Sequence, residues 1–422
     1  MIEATPSGRR APELPGFAII LMATAIAGVA SYAVTILIPN QIGLAKYALF
    51  AVFWSSVYLA VGALGGIQQE VTRATLPARE GIIDGSFRAC RFGIIAGLAV
   101  FATIAGTAPL WERSVFPTEG WSLILPLAVG VASYVMVAVL AGSLYGVIAW
   151  IPLAFMITVD ALLRVAFLSI TLVFTHNIVA LAWAVAVPFP LTLLTLWPFI
   201  RLSIVGRSRI DDGYRALAGN VARTVLAATG TAIMVTGFPL LLGLTSHSEQ
   251  PATVGMFIVA ITLTRAPLIV VALSLQSYLI VHFRDNAGTF WTYFFRLLGV
   301  TFVAGVVLAV AGWLFGPTVF HLIFPNTLQP DAPFFAILAC SSALVTALCI
   351  TAPALLARSK HFVYSTGWVA AAFTTIAALL LPLDFASRTV TALTVGPIVG
   401  LVIHGAYLVS AGLGEQRRPT QE

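Results

Sequence analysis

The sequence predicts an all-α polytopic membrane protein of about twelve transmembrane helices. Three observations predict it. Hydrophobic residues make up 59% of the chain and charged residues 9%, against about 25% charged in soluble domains. The apolar residues fall in runs long enough to cross a bilayer core of about 30 Å, which takes about 20 helical residues. The basic residues gather on alternate connections, the pattern of the positive-inside rule.

Taken in order, residues 1–15 form a cytoplasmic N-terminal tail carrying Arg9 and Arg10. The apolar stretch behind this basic start has the make-up of a signal peptide. Its continuation to Ile38 makes it a first span instead, over 16–38. Further spans are expected over 46–67, 92–110, 121–145, 151–174 and 178–200, completing an N-terminal half over 16–200. A cytoplasmic linker over 201–220 follows. Spans over 221–244, 253–280, 290–313, 333–355, 362–383 and 389–412 form a C-terminal half over 221–412, and 413–422 form a cytoplasmic tail. With the N-terminus inside, 17 basic residues lie on the inner side and only Lys46, Arg113 and Arg388 on the outer side. That asymmetry places both termini in the cytoplasm of a bacterial-type plasma membrane.

An even span count with a long inner connection in the middle suggests an internal repeat. "MATAIAGVAS" (22–31) can be laid on "AATGTAIMVT" (227–236), and "FAVFWSSVYLAVGALGGIQQ" (50–69) on "FIVAITLTRAPLIVVALSLQ" (257–276), pairing Gln69 with Gln276 at an offset of 207 residues. Two six-helix pseudo-repeats follow, related by an axis along the membrane normal, with substrate expected between them.

The net charge of +6 reports topology and not nucleic-acid binding, because the arginines cap apolar runs and form no basic patch with interleaved aromatics. Cys90, Cys340 and Cys349 stand singly, with no disulfide or metal-ligand spacing, and are read as packing residues. No hydrolase elbow, HExxH motif or phosphate-cradling glycine loop occurs. Membrane glycosyltransferases that use polyprenyl-phosphate sugars need an acidic residue in the first outer loop, and "PNQIGLAKY" has none. The chain is therefore expected not to be an enzyme, with no cofactor and no metal.

Two basic residues remain inside the membrane, Arg164 and Arg265. Ionised groups there cost about 2.5–3.5 kcal/mol each on insertion scales and usually face a partner or a wet cavity. Asp160 and Arg164 are four apart on one helix face and can pair. The pair is either self-neutralising structure, or an anion ligand with Asp160 orienting it or titrating with a coupling proton. Arg265 has no carboxylate within one turn, so it pairs with Asp160 across the halves or waits for an anionic substrate. Pro267 beside it favours a kink and a hinge. At the inner end of the second span, Gln68, Gln69, Glu70 and Arg73, with Arg223 on the seventh, form a helix terminus or an inner mouth for an anionic headgroup. Gln276 and His404 are secondary candidates, His404 being either hydrogen-bonded within the bundle or a proton relay.

The stretch Ile42 to Arg73, "IGLAKYALFAVFWSSVYLAVGALGGIQQEVTR", resembles the first-loop and second-helix signature of polysaccharide flippases in the multidrug/oligosaccharidyl-lipid/polysaccharide (MOP) exporter superfamily. Gly43, Tyr47, Leu49, Phe50, Gly62, Gly65 and Arg73 fit the pattern, while Ala48 stands where glycine is usual. The fourth and fifth helices resemble the same family through a Gly-x-x-x-Gly turn and a late basic residue, so the likeness covers residues 15–175. It implies a V-shaped bundle with a central cavity that carries a polyprenyl-phosphate- or diphosphate-linked saccharide from the inner to the outer leaflet. It also implies cavity cations that hold the phosphate, a role that Arg164 and, through the repeat, Arg265 fit. The partners implied are the lipid-linked sugar or oligosaccharide, membrane lipids and envelope glycosyltransferases. A drug or cation antiporter of the same superfamily and a non-transport scaffold for envelope enzymes are the alternatives. A major-facilitator transporter would carry a basic Gly-x-x-x-Asp-Arg loop that "EVTRATLPAREG" lacks.

Overall fold

The computed structural model describes residues 14–77, 85–205, 207–210, 213–325 and 327–416. Most of both expected tails, with Arg9, Arg10, Arg417 and Arg418, lies outside the described residues, as do Arg79 and part of the linker. The first helix, α1, runs from Leu14 to Ala74 and is broken at Gly43. Gly43 has φ +79°, in the left-handed region that glycine enters without a Cβ penalty. At about 1.5 Å per residue α1 is roughly 90 Å long, far more than one crossing requires. The chain doubles back at Gly43. Gly16 at one end of α1 lies against the Trp150 ring, and Thr75 just past the other end lies against Gly146, on either side of a single short turn. The expected spans over 16–38 and 46–67 are these two arms.

The remaining helices of the first half are α2 (Gly85–Val115), α3 (Trp121–Gly146), α4 (Trp150–Phe174), α5 (Ile178–Ala186) and α6 (Pro188–Ile204). Prolines 188 and 190 mark the joint between α5 and α6, which together make one span. The second half is α7 (Tyr214–Val235), α8 (Phe238–Thr245), α9 (Pro251–Asp285), α10 (Phe290–Ile323), α11 (Ala332–Ala357), α12 (His361–Leu379) and α13 (Phe385–Gln416). Ten candidate spans among the described residues are long and apolar enough to cross a membrane, with α5 and α6 together making one, or eleven with α7 and α8 taken as one bent span. Counting both arms of α1 brings the crossings to twelve.

The two halves repeat one order of helices, and a local detail repeats with it. The turn from α3 to α4 and the turn from α11 to α12 each contain a residue with positive φ, Ile148 at 61° and Ser359 at 57°. In each turn an amide donates back five residues, Ala149 to Leu144 and Lys360 to Leu355. This closure caps the last carbonyls of the preceding helix.

Three features depart from the sequence reading. A short antiparallel ribbon, β1 (Thr75–Pro77) with β2 (Ser208–Ile210), joins the end of α1 to the linker between the halves. The span over 221–244 is bent by 70° between α7 and α8, where Pro239 withholds a backbone donor. The kink and hinge expected at Pro267 fall inside α9, which is not broken there. The carbonyl that Pro267 leaves without a helical partner is Leu263 O, and the Tyr32 hydroxyl of α1 donates to it.

The second arm of α1 packs along α7 between the halves. A Cβ on Gly66 would lie 2.5 Å from Val225 N and one on Gly62 would lie 2.8 Å from the Ala232 Cβ. We predict that Gly66→Val lowers the thermal midpoint of the detergent-solubilised protein by several degrees, since overpacking costs about 1–3 kcal/mol. Gly65→Ala, at a position with open space around it, should leave the midpoint unchanged.

Candidate functional site

A cavity of about 260 Å³ lies wholly within the first half, between both arms of α1, α3, α4 and the start of α6. Each wall is one face of a helix. Trp54, Tyr58 and Gln68 recur on α1, Tyr134, Val137, Ala141 and Tyr145 on α3, and Met156, Asp160 and Arg164 on α4, at spacings that place them on one side. Asp160 and Arg164 lie about 15 and 21 Å along α4 from Trp150, near the middle of the bilayer.

Arg164 is held on all sides. Its Nη1 and Nη2 donate to the two Asp160 carboxylate oxygens at 2.8 and 2.9 Å, and its Nε donates to Val185 O at 3.3 Å. The guanidinium carbon sits 4.4 Å from the Phe189 ring centre and 5.7 Å from that of Tyr58, within cation–π range. The arginine side chain is 6% exposed and the aspartate 19%, so both line the cavity and the carboxylate is the more exposed member. Asp160 is also the sole acidic group among the described residues lining it. The bidentate fork expected to hold an anion is already occupied.

Arg265 does not line this cavity. It lies in the second half, 6% exposed, with Nη2 donating to Met234 O at 3.2 Å and its guanidinium 5.7 Å from the Phe238 ring. Met234 O is a carbonyl of the last turn of α7, freed by the break before α8. No ion pair to Arg265 occurs among the described residues, and its buried Nε has no hydrogen-bond acceptor. The pairing with Asp160 across the halves is therefore not formed. Nor are the two arginines repeat equivalents, because at the 207-residue offset Arg265 falls on Tyr58.

The other candidates divide. Gln68 lines the cavity, whereas Gln69 is exposed. Arg73 holds the buried Glu70 through Nε at 2.9 Å and Nη2 at 2.5 Å. Arg223 is exposed beside Thr224, whose hydroxyl donates to Gly66 O at 3.0 Å. Gln276 is half-buried on α9. His404 is fully buried, its Nδ1 2.8 Å from the Thr351 hydroxyl and its Nε2 3.2 Å from Tyr364 O. Gly367 leaves room for its ring, which makes it a packed and satisfied core residue. Of the cysteines, Cys349 is buried, Cys90 half-buried and Cys340 exposed, all free. No group of three metal-ligating side chains occurs among the described residues.

A second cavity of about 620 Å³ opens between the halves at the end opposite the termini, and Lys46, Glu119, His176, His247 and Glu249 line it. There the His247 ring nitrogen lies 2.9 Å from Ser114 O across the halves, and Arg388 pairs with Glu249 at 3.5 Å. The sequence reading missed this cleft and the aromatic lining of the first cavity. For the aromatic lining the signal was available, since Trp54 and Tyr58 are one turn apart and share a face with Gln68.

Over 392 residues the chain is 33% identical to the uncharacterized protein Rv1510 of Mycobacterium tuberculosis, spanning 92% of this chain and 90% of that protein. It is 32% identical over 387 residues to the uncharacterized protein Rv3630 of the same organism, spanning 90% and 89%. No protein-family model matches the chain. Among solved structures, an inward-facing multidrug resistance MATE family transporter of the MOP superfamily superposes with a TM-score of 0.65 at 15% identity, over 93% of this chain and 95% of that one. A MOP-superfamily transporter from Pyrococcus furiosus, described as having a binding pocket of reverse polarity, gives 0.63 at 16% identity over 97% and 99%. At these identities the likeness is one of fold.

Removing either partner of a buried ion pair leaves a bare charge and costs about 3–5 kcal/mol, whereas replacing both is often neutral. Asp160→Leu and Arg164→Met should each lower the thermal midpoint of the purified protein, and the double substitution should recover most of the loss. Additive losses would show that the pair is not coupled.

Proposed function

Because the chain belongs to one family with Rv1510 and Rv3630 and has the fold of the MOP-superfamily transporters, we propose that it is an alternating-access flippase for a polyprenyl-phosphate- or diphosphate-linked saccharide. The observation that carries this reading is the balance of charge at mid-membrane depth. Asp160 and Arg164 cancel, and Arg265 is left over as a buried cation without a carboxylate among the described residues. The surplus is positive, so an anion between the halves is favoured and a cation is not.

Arg265 acts through its field. At an effective dielectric of about 20, a unit charge 10–15 Å away contributes about 1–2 kcal/mol. The Asp160–Arg164 pair supplies a neutral, polar floor on which the headgroup rests, while the lipid tail stays in the bilayer. The resemblance implies outward movement, and the basic-residue asymmetry puts both termini on the cytoplasmic side. A cell interior negative by 100 mV then assists each net negative charge by about 2.3 kcal/mol, so no nucleotide site is required.

Drug or cation antiport draws support from the multidrug MATE neighbours and from Asp160 being the more exposed member of its pair. Against it, that carboxylate already accepts two charge-assisted hydrogen bonds. A scaffold for envelope enzymes would tolerate neutralisation of either arginine.

We expect cells depleted of the protein to accumulate one polyprenyl-linked saccharide, read by mass spectrometry of extracted lipids. Wild-type protein should clear it. Arg164→Gln should insert but fail to clear it, because the floor of the cavity becomes negative. Arg265→Gln should clear it with an apparent affinity lowered about tenfold, the equivalent of about 1.4 kcal/mol. An unchanged lipid pool together with lost efflux of a cationic dye would replace this reading with antiport, and full clearance by both variants would favour the scaffold.

A further inference from the structure

We infer, building on the transport reading above, that the headgroup carried in the first-half cavity is one or two sugar residues, bound as a neutral saccharide, and not a longer oligosaccharide. Size is the first argument. Sites for drug-sized ligands run to about 300–1,000 Å³, and this cavity holds about 260 Å³. Its walls are closely packed. Toward the second half the wall is α1 itself, pressed on α7 at Gly62 and Gly66. Toward the end that carries the termini it meets Tyr145 and Leu153, and at mid-depth it meets the Arg164–Phe189 contact.

Chemistry is the second argument. Trp54 and Tyr58 are stacked at 4.7 Å and 25° and, with Tyr134 and Tyr145, give the cavity an aromatic wall. The negative face of an aromatic ring suits the C–H groups on the apolar side of a pyranose. Polar groups are few and of the kind that hydroxyls satisfy: Ser31, Gln68, the tyrosine hydroxyls and the Asp160–Arg164 pair. Each Asp160 oxygen accepts one hydrogen bond from Arg164 and keeps a lone pair for another donor. A sugar hydroxyl can therefore join the pair without dismantling it. Arg164, the one cation among the described residues lining the cavity, is already paired with Asp160, so the sugar enters this cavity and the phosphate stays outside it.

The test uses the full chain in sealed vesicles, with polyprenyl phosphate carrying one, two or five hexoses. Arrival at the far leaflet is read by a membrane-impermeant oxidant of sugar diols. The one- and two-hexose lipids should cross at similar rates and the five-hexose lipid at least tenfold more slowly. Equal rates for all three would overturn the size limit and leave transport standing. Failure of all three to cross would overturn the transport reading itself. Ala27→Phe, which places a ring in the cavity from α1, should slow the two-hexose lipid more than the one-hexose lipid. An equal effect on both would show that the headgroup does not sit there.

Discussion

Inside a bilayer a carbonyl released by a proline or a broken helix must find a donor from a neighbouring helix or an ordered water, because lipid supplies none. Much of this structure follows from how α1 meets that demand. Its Tyr32 hydroxyl takes Leu263 O, the carbonyl released by Pro267. Ser55 enters the gap between α7 and α8, donating to Thr236 O at 2.6 Å and accepting from Leu240 N at 3.1 Å. Those two groups would bond each other in an unbroken helix. Thr236 answers with a bond to Tyr58 O at 3.2 Å. The backbone groups left free in the second half are thus completed by the first half, and α1 is the shared member.

The same helix carries the cavity on its other side. Ser55 faces the α7–α8 break, while Trp54 and Tyr58 face the Asp160–Arg164 pair. Any movement that parts the halves must unmake the bonds of Ser55 and Tyr32, and it must displace the wall against which a headgroup would rest. Each buried arginine also caps a carbonyl beside a proline-associated break, Arg164 at the end of α5 and Arg265 at the end of α7. Arg164 has a carboxylate as well and is neutralised. Arg265 has none among the described residues, and that asymmetry gives the membrane interior its positive surplus.

Much of this was legible in the residues. Apolar run length alone located the crossings, because the bilayer thickness sets the length of a span. The break at Gly43 was read as a short outer loop, and the Asp160–Arg164 pair follows from spacing on a single helix. What spacing could not supply was the identity of partners on other helices. Pro267 signals a freed carbonyl, yet only the fold brings Tyr32 to it and keeps α9 continuous. Arg265 reads as an anion ligand in isolation, but the fold gives it Met234 O and leaves it outside the cavity. The 70° bend lay hidden in "TGFPLLLG" because its length and hydropathy suit an ordinary span. The cleft lined by Lys46, His176 and His247 joins the start of the second arm of α1 to two short loops far apart in sequence, and no local pattern links them.

On the proposed reading, a surplus buried cation and a neutral, aromatic, hydroxyl-satisfying cavity select an anionic lipid that carries a sugar. Native mass spectrometry of the protein released from its own membrane tests this most directly, since the bound lipid is weighed with the chain. The account predicts a co-purifying polyprenyl-phosphate species bearing sugar, depleted in Arg265→Gln relative to wild type. Recovery of ordinary phospholipids alone, at equal occupancy in both proteins, would contradict it.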